Sequence, residues 1–206
     1  MTDRFQYAND REAYSAARAK ALESLLIEKG IITGTTVDTV LKVFETKMGP
    51  FNGAKIVARA WVDPAFKARL VADTPAAIAE LKDLPEGMAG AEGEHMRAVA
   101  NETGVHNLII CTLCSCYPWP VLGLPPYWYK DPTFRSRAAR EPRAVLKEFG
   151  LDVPETTEVK VWDSSAQIRW FVIPERPAGT EGMSEAELAA LVTPEAMMGV
   201  AVAKAA

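Results

Sequence analysis

Apolar positions recur at helical spacing through the first third of the chain. Tyr14, Ala17, Ala21 and Leu25 share one face of a helix predicted from Arg11 to Lys29, with Asp10 as its cap and Gly30 as its end. Val37, Val40, Leu41, Phe44 and Met48 repeat the spacing in a second helix capped by Thr36 and broken at Gly49-Pro50. A third helix is predicted from Asn52 to Ala60, and the pairs Asp63-Pro64 and Thr74-Pro75 each place a cap before a proline at the first helical position. Gly87, Gly90 and Gly93 punctuate a loop from Leu84 to Gly93, which lacks the lysine pattern of a phosphate loop. Two strands follow, Met96–Ala100 and Val105–Ile110, separated by a turn at Asn101-Glu102-Thr103-Gly104. Asp131-Pro132 and Glu141-Pro142 open short helices, the second ending at Gly150. Two more strands, Glu158–Trp162 and Gln167–Ile173, flank Asp163-Ser164-Ser165 as a hairpin signal. Ser184 with Glu187 forms a capping box for a last helix, and Thr193-Pro194 starts a final turn.

These elements predict an α+β chain. A helical arm over residues 1–50 precedes a compact domain over 51–206, whose antiparallel sheet core is flanked by helices in an α-β-β-α layering. Composition is that of an ordinary globular chain of 206 residues, 49% hydrophobic and 24% charged. A net charge of −4 argues against nucleic acid as a partner. No apolar run approaches the ~18 residues of a membrane span, and the first residues carry no signal-peptide core, so a cytoplasmic location is expected.

All three cysteines lie within Cys111-Thr112-Leu113-Cys114-Ser115-Cys116, directly after the second strand and before the stiff run Tyr117-Pro118-Trp119-Pro120. Three chemistries fit this spacing. Cys111 and Cys114 can form a redox pair, which leaves an odd thiol. The three sulfurs with His106 can make a Cys3His zinc site, although the spacing is unfamiliar. In the third arrangement the peptide nitrogens of Ser115 and Cys116 join the three sulfurs as a five-ligand claw with a sixth position open for catalysis, which suits a low-spin trivalent ion. Glu92 and Glu94 are candidate bases if they approach the site, and otherwise solvate their loop. His95 and His106 read first as structural histidines. Trp119 is a candidate for contact with substrate, and Trp61 and Phe66 are core.

The segment from Val105-His106-Asn107 through Cys111-Thr112-Leu113-Cys114-Ser115-Cys116-Tyr117-Pro118-Trp119-Pro120 to Pro125-Pro126 closely resembles the metal-binding segment of the nitrile hydratase alpha family. The similarity continues in Asn52-Gly53-Ala54, Ala58–Pro64, Gly93–Met96, Trp128-Tyr129-Lys130, Trp162–Ser165 and Arg176–Gly182, and so covers most of the chain. The resemblance implies hydration of small nitriles to amides. It implies Cys111 as an unmodified thiolate ligand, Cys114 as a sulfinic and Cys116 as a sulfenic acid, with the nitrogens of Ser115 and Cys116 completing the ligands. Cys116 and Ser115 would be the catalytic residues. Thr112 resembles the cobalt branch, which implies non-corrin cobalt(III), with iron(III) as the alternative. It also implies a beta subunit, in an alpha-beta heterodimer and its alpha2-beta2 dimer, with arginines on the oxidised cysteines, and an activator protein for metal loading. Arginine suits such oxyanions. Most of Arg135, Arg137, Arg140 and Arg143 nevertheless read as a solvated helix face. Two rivals remain. The metal-bearing subunit of thiocyanate hydrolase resembles this chain and shares the claw, and a structural zinc module would hold three unoxidised cysteines.

Overall fold

A computed structural model describes residues 9–85, 95–114 and 116–205. The loop residues Glu92 and Glu94, and Ser115 within the cysteine segment, lie outside the described residues.

The chain begins with two helices, α1 (Asn9–Glu28) and α2 (Gly34–Thr46), on which Tyr14, Leu22, Leu25, Val40 and Leu41 are exposed. The cap of α2 is Thr33 rather than Thr36, whose Oγ1 instead accepts the Thr33 N–H at 3.2 Å. Pro50 both stops the arm and opens α3 (Pro50–Val62), since a proline costs nothing at a first turn that lacks an N–H acceptor. Helices α4 (Pro64–Ala72) and α5 (Thr74–Ala79) follow, capped by Asp63 and Asp73, which accept from Phe66 N at 2.9 Å and Ala76 N at 3.2 Å. Then come strands β1 (His95–Ala100) and β2 (Val105–Ile110) and the short helices α6 (Trp119–Leu122), α7 (Tyr127–Lys130), α8 (Pro132–Arg140) and α9 (Pro142–Glu148). Strands β3 (Glu158–Asp163) and β4 (Ile168–Ile173) precede α10 (Glu185–Ala189) and α11 (Pro194–Met198). Among the described residues, no helix is long and apolar enough to cross a membrane.

The expected layering is present, but the expected antiparallel pairing is not. β1 pairs with β4 and β2 with β3, both in parallel. Neither short turn closes a hairpin. Each carries the chain from one sheet to the other, and the partners meet across long helical crossovers, as parallel pairing requires. The strands carry the reason in their composition. Leu108-Ile109-Ile110 and Phe171-Val172-Ile173 are buried on both faces, a pattern of parallel sheets covered on both sides rather than of a half-solvated hairpin. One face of each strand joins the main core, where Met96, Ala98, Leu108, Ile110, Phe171 and Ile173 meet helical side chains. The opposite faces meet each other through Val99, Ile109 and Val172, with Trp162 and Trp170 packed against them. Helices α4 and α5 pack on β1, and α8 and α9 on β2 and β3, giving the α-β-β-α order.

Two features at Asn107 fix the middle of β2 against its surroundings. Asn107 donates to Ala100 O at 2.8 Å and to Asn101 Oδ1 at 2.9 Å, and accepts from Trp162 Nε1 at 2.8 Å, so one buried amide ties three strands. Gly199, with φ of 82°, brings its Cα so close to β2 that an added Cβ would lie 1.9 Å from Asn107 O.

Candidate metal centre

The cysteine segment starts where β2 leaves its sheet. Cys111 is fully buried beneath that strand end, Cys116 is 8% exposed, and Cys114 faces outward. The three Sγ atoms lie within 4.8 Å of one another, with Cys111 to Cys114 at 3.4 Å and Cys114 to Cys116 at 2.8 Å. These are too long for disulfides, whose sulfurs sit about 2.05 Å apart, and all three cysteines are free. Cys111 Sγ also accepts the Cys114 N–H at 3.3 Å, which curls the loop around one point.

Four side chains hold the loop from outside. The Asp163 carboxylate accepts the Thr112 N–H at 2.9 Å and the Thr112 hydroxyl at 2.5 Å. Arg135 donates through Nη1 to Cys114 O at 2.7 Å and to Thr112 O at 3.4 Å. The Tyr129 hydroxyl donates to Cys116 O at 2.8 Å. The Arg169 guanidinium lies beside the Cys116 thiol and favours its anion. Local sequence places these groups. Asp131 caps α8, accepting from Thr133 N at 2.7 Å and Phe134 N at 3.3 Å. Phe134 then packs edge-on against Trp128 at 4.9 Å, and Trp128 against Phe149 at 4.7 Å, so the aromatic cluster locks α7, α8 and α9 together. Tyr129 and Arg135 are carried to the loop on that block. Tyr117, beside Cys116, sits edge-on to Tyr129 at 5.2 Å.

The electrostatics follow from burial. Burial pushes the Cys116 thiol up to about 11, the neighbouring Cys114 thiol adds to the rise, and the Arg169 contact opposes it. A bare Cys116 is therefore a neutral thiol at neutral pH, and a bound cation is what would convert it to a thiolate. Burial raises Tyr129 further still, so its hydroxyl stays a donor at any working pH. Three sulfurs converging at one point fit a soft or borderline metal ion.

Other sequence candidates lie apart from this point. His106 is not a fourth ligand. Its Nε2 is 2.6 Å from Gly199 O and its Nδ1 3.3 Å from the Asn101 amide, so both ring nitrogens are occupied in the core. His95 is exposed at the start of β1. Trp119 begins α6, three residues past Cys116, and is 43% exposed. An apolar cleft of about 240 Å³ lies along Tyr117, Leu122, Leu124 and Trp128, and Trp119 is not part of its lining. Of the four downstream arginines, Arg137 pairs with Glu141 and Glu148, Arg140 bonds Ser136, and Arg143 bonds carbonyls of Val153, Pro154 and Thr157. Arg135 hydrogen-bonds the cysteine loop, at Cys114 O and Thr112 O. The sequence suggests mainly a turn role for Asp163 and a pocket-lining role for the Tyr127-Trp128-Tyr129 run, and gives no sign that Tyr129 holds the loop or that Arg169 lies beside it. No local motif links these positions to the loop, since they are 13 to 53 residues beyond Cys116.

A strand-end loop of three convergent thiols in an α-β-β-α sandwich defines a class of chain built to hold a metal by cysteine. Residues 13–201 match the family described as nitrile hydratase, alpha chain. The chain belongs to the nitrile hydratase alpha family. It is 53% identical over 208 aligned residues, spanning all of both chains, to the cobalt-containing nitrile hydratase subunit alpha of Pseudonocardia thermophila. It is 38% identical over 190 residues, 89% of this chain and 78% of the relative, to thiocyanate hydrolase subunit gamma of Thiobacillus thioparus. Among solved structures, a double mutant of the Fe-type nitrile hydratase from Comamonas testosteroni Ni1 superposes with a TM-score of 0.80 at 41% identity, covering 94% of this chain and 92% of that one. Members of this kind are named as subunits, so the chain is one component of a multi-subunit protein.

Proposed function

We propose that this chain is the alpha subunit of a nitrile hydratase, converting small nitriles to amides at a non-corrin cobalt(III). The observation that carries this reading is the convergence of the Cys111, Cys114 and Cys116 sulfurs within 4.8 Å, in a chain 53% identical along its whole length to a cobalt-containing relative. Cys111, Cys114 and Cys116 would hold the ion through sulfur, and Ser115 and Cys116 through their peptide nitrogens. Bound there, the ion supplies a Lewis acid that polarises the nitrile nitrogen.

The residues of the chain do the rest. Asp163, Arg135 and Tyr129 hold the loop by its own peptide groups, so ligand directions are set before any ion enters. In the loaded site Cys114 would stand as a sulfinic and Cys116 as a sulfenic acid, states that persist only where no other thiol reaches them and donors surround the oxygens. Arg169 on Cys116 is one such donor. Water, or the Cys116 sulfenate oxygen, would attack the nitrile carbon while a proton goes to its nitrogen, with Ser115 assisting by hydrogen bonding; after sulfenate attack a water would cleave the adduct, restoring the sulfenate and releasing the amide. Trp119 borders the substrate.

Residues 1–50 act as an arm and 51–206 as the metal-binding domain. The exposed apolar side chains of the arm, and Leu113 at 85% exposure on the cysteine loop, suit a partner that covers them. That partner is a beta subunit, in an alpha2-beta2 assembly, and an activator protein loads the metal in the cytoplasm, where thiols stay reduced until then.

The test is metal analysis of the chain purified with its partner, together with paired assays on nitriles and thiocyanate. About one cobalt per chain with amide formation supports the reading. Iron with amide formation keeps the hydratase and overturns the metal. Thiocyanate turnover without nitrile turnover moves the chain to the thiocyanate branch. Zinc without turnover leaves a structural module. Cys116→Ser is expected to abolish activity, and full turnover with metal intact would sink its catalytic role.

A further inference from the structure

Ser164 is a turn residue by sequence, yet it is 1% exposed. It follows Asp163 directly, at the point where β3 ends beside the cysteine loop. Its backbone extends the pairing of β3 with β2 by one bond, since Ser164 N donates to Ile110 O at 2.8 Å. Ile110 O and the Cys111 nitrogen belong to one peptide group, which resonance keeps planar. That bond therefore holds the peptide leading into the cysteine segment.

The side chain of Ser164 has other partners. Its Oγ lies 3.2 Å from the Trp170 nitrogen. A backbone N–H can only donate, so Ser164 Oγ accepts there and its own proton goes elsewhere. A buried hydroxyl proton without an acceptor is costly. The Ser164 side chain lies beside the Tyr129 hydroxyl. The proton of that hydroxyl is committed to Cys116 O at 2.8 Å, because a carbonyl oxygen can only accept. The Tyr129 oxygen thus has a lone pair to offer and no proton to spare, which makes it the acceptor that Ser164 needs. Each proton then has one direction: from Trp170 N to Ser164, from Ser164 to Tyr129, and from Tyr129 to Cys116 O. Bonds in such a chain strengthen one another. The last of them holds the peptide leading out of the cysteine segment.

We infer that Ser164 is the positioning residue that sets the span of the cysteine loop: its N–H holds the peptide entering Cys111, and its hydroxyl, acting through Tyr129, holds the peptide leaving Cys116. Both ends of the six-residue segment are referred to one residue at the end of β3, and its neighbour Asp163 ties Thr112 between them. This role rests on the reading of the loop as a metal centre. It makes the Asp163-Ser164-Ser165 turn a template for the sulfur positions.

The test uses the complete complex with its partner, grown with cobalt, carrying Ser164→Ala, Tyr129→Phe, both substitutions together or, as a control, Thr74→Val. Thr74 is an equally buried hydroxyl that accepts a strand N–H, that of Ala98 at 2.8 Å, in another part of the domain. Three quantities are read: the rate of cobalt loss to a chelator, the melting temperature, and the carbon-13 shift of the labelled Tyr129 ring carbon that bears the hydroxyl. Ser164→Ala is expected to lose cobalt about fivefold faster or more, in line with the loss of one neutral hydrogen bond, and to move the Tyr129 signal. The double variant is expected to lose cobalt within about twofold of the rate of Tyr129→Phe alone, because both substitutions cut one chain. Thr74→Val lowers the melting temperature while leaving metal loss and the Tyr129 signal unchanged. Parental metal loss in Ser164→Ala overturns the inference, as does an unmoved Tyr129 signal, and so do rate increases that multiply in the double variant. If Ser164→Ala does not assemble, Tyr129→Phe decides, and parental metal loss there overturns it equally. A parent complex that binds no metal when grown with cobalt fails the underlying reading instead, and this inference with it.

Discussion

Asp163 and Thr112, 51 residues apart in sequence, are joined twice: one carboxylate oxygen takes the Thr112 N–H at 2.9 Å and the other takes its hydroxyl at 2.5 Å. A side chain at the end of β3 thus sets the first peptide of the cysteine loop at the end of the paired strand β2. Parallel pairing makes this possible, because it brings Ile110 level with Asp163. Asp163→Asn keeps one acceptor and turns an NH2 toward the hydroxyl. We expect a stability loss of about 1 kcal/mol with a larger relative loss of bound metal, read by thermal melting and by metal analysis of the same sample. Unchanged metal content would separate the bridge from the site.

Tyr129→Phe removes the hydroxyl that satisfies Cys116 O without changing the ring that packs on Tyr117. The acceptor left behind is buried, and the expected cost is about 1–3 kcal/mol. Melting temperature should fall, and turnover should fall with it as the Cys116 end of the loop loosens. A variant with parental stability and activity would show that the carbonyl finds another donor.

Gly199→Ala meets two obstacles at once, a φ of 82° and an added Cβ 1.9 Å from Asn107 O. We expect a loss of about 3 kcal/mol or more, or roughly 10 °C in melting temperature for a chain of this size. Denaturant unfolding measures it directly, and a loss below 1 kcal/mol would mean that α11 can draw back from β2 freely.

His106 gives the fold a pH dependence. Burial lowers its pKa below the usual 6.5, against the opposing hydrogen bond to Gly199 O and the charge of Glu175. The unfolded chain therefore binds this proton at a higher pH than the folded chain does. Between the depressed folded value and 6.5 the unfolded state holds more protons, so this contribution to stability is complete above 6.5 and is lost as pH falls through that window. His106→Gln should flatten that part of the stability profile while lowering the plateau. A slope that persists unchanged in the variant would assign it to other groups.

Much of the architecture was legible along the chain because its signals are local. Asp63-Pro64, Asp131-Pro132 and the Ser184–Glu187 box each place cap and first turn within four residues, and the helices begin there. The strands were found as well, but their partners were not. The turns at Asn101–Gly104 and Asp163–Ser165 carry hairpin residues, yet each joins strands in different sheets. The burial of Leu108-Ile109-Ile110 and Phe171-Val172-Ile173 on both faces, which goes with parallel pairing, shows only in the folded structure.

The sequence by itself narrowed the chemistry: three thiols within six residues can converge only in a tight loop, which leaves a redox pair or a soft to borderline metal ion, and the family resemblance chose the ion. Tertiary structure alone decided what holds that loop. Asp163, Arg135, Tyr129 and Arg169 come from β3, α8, α7 and β4, and each is a common surface or core residue in its own segment. Likewise, a histidine five residues before Cys111 is eligible as a ligand by sequence and is excluded by its bonds to Asn101 and to Gly199, the latter 93 residues away. Ligand identity is a property of one short stretch of covalent chain. The holding of that stretch depends on directional bonds between segments far apart in sequence, and those exist only once parallel pairing and the packed helices have brought their donors and acceptors within reach.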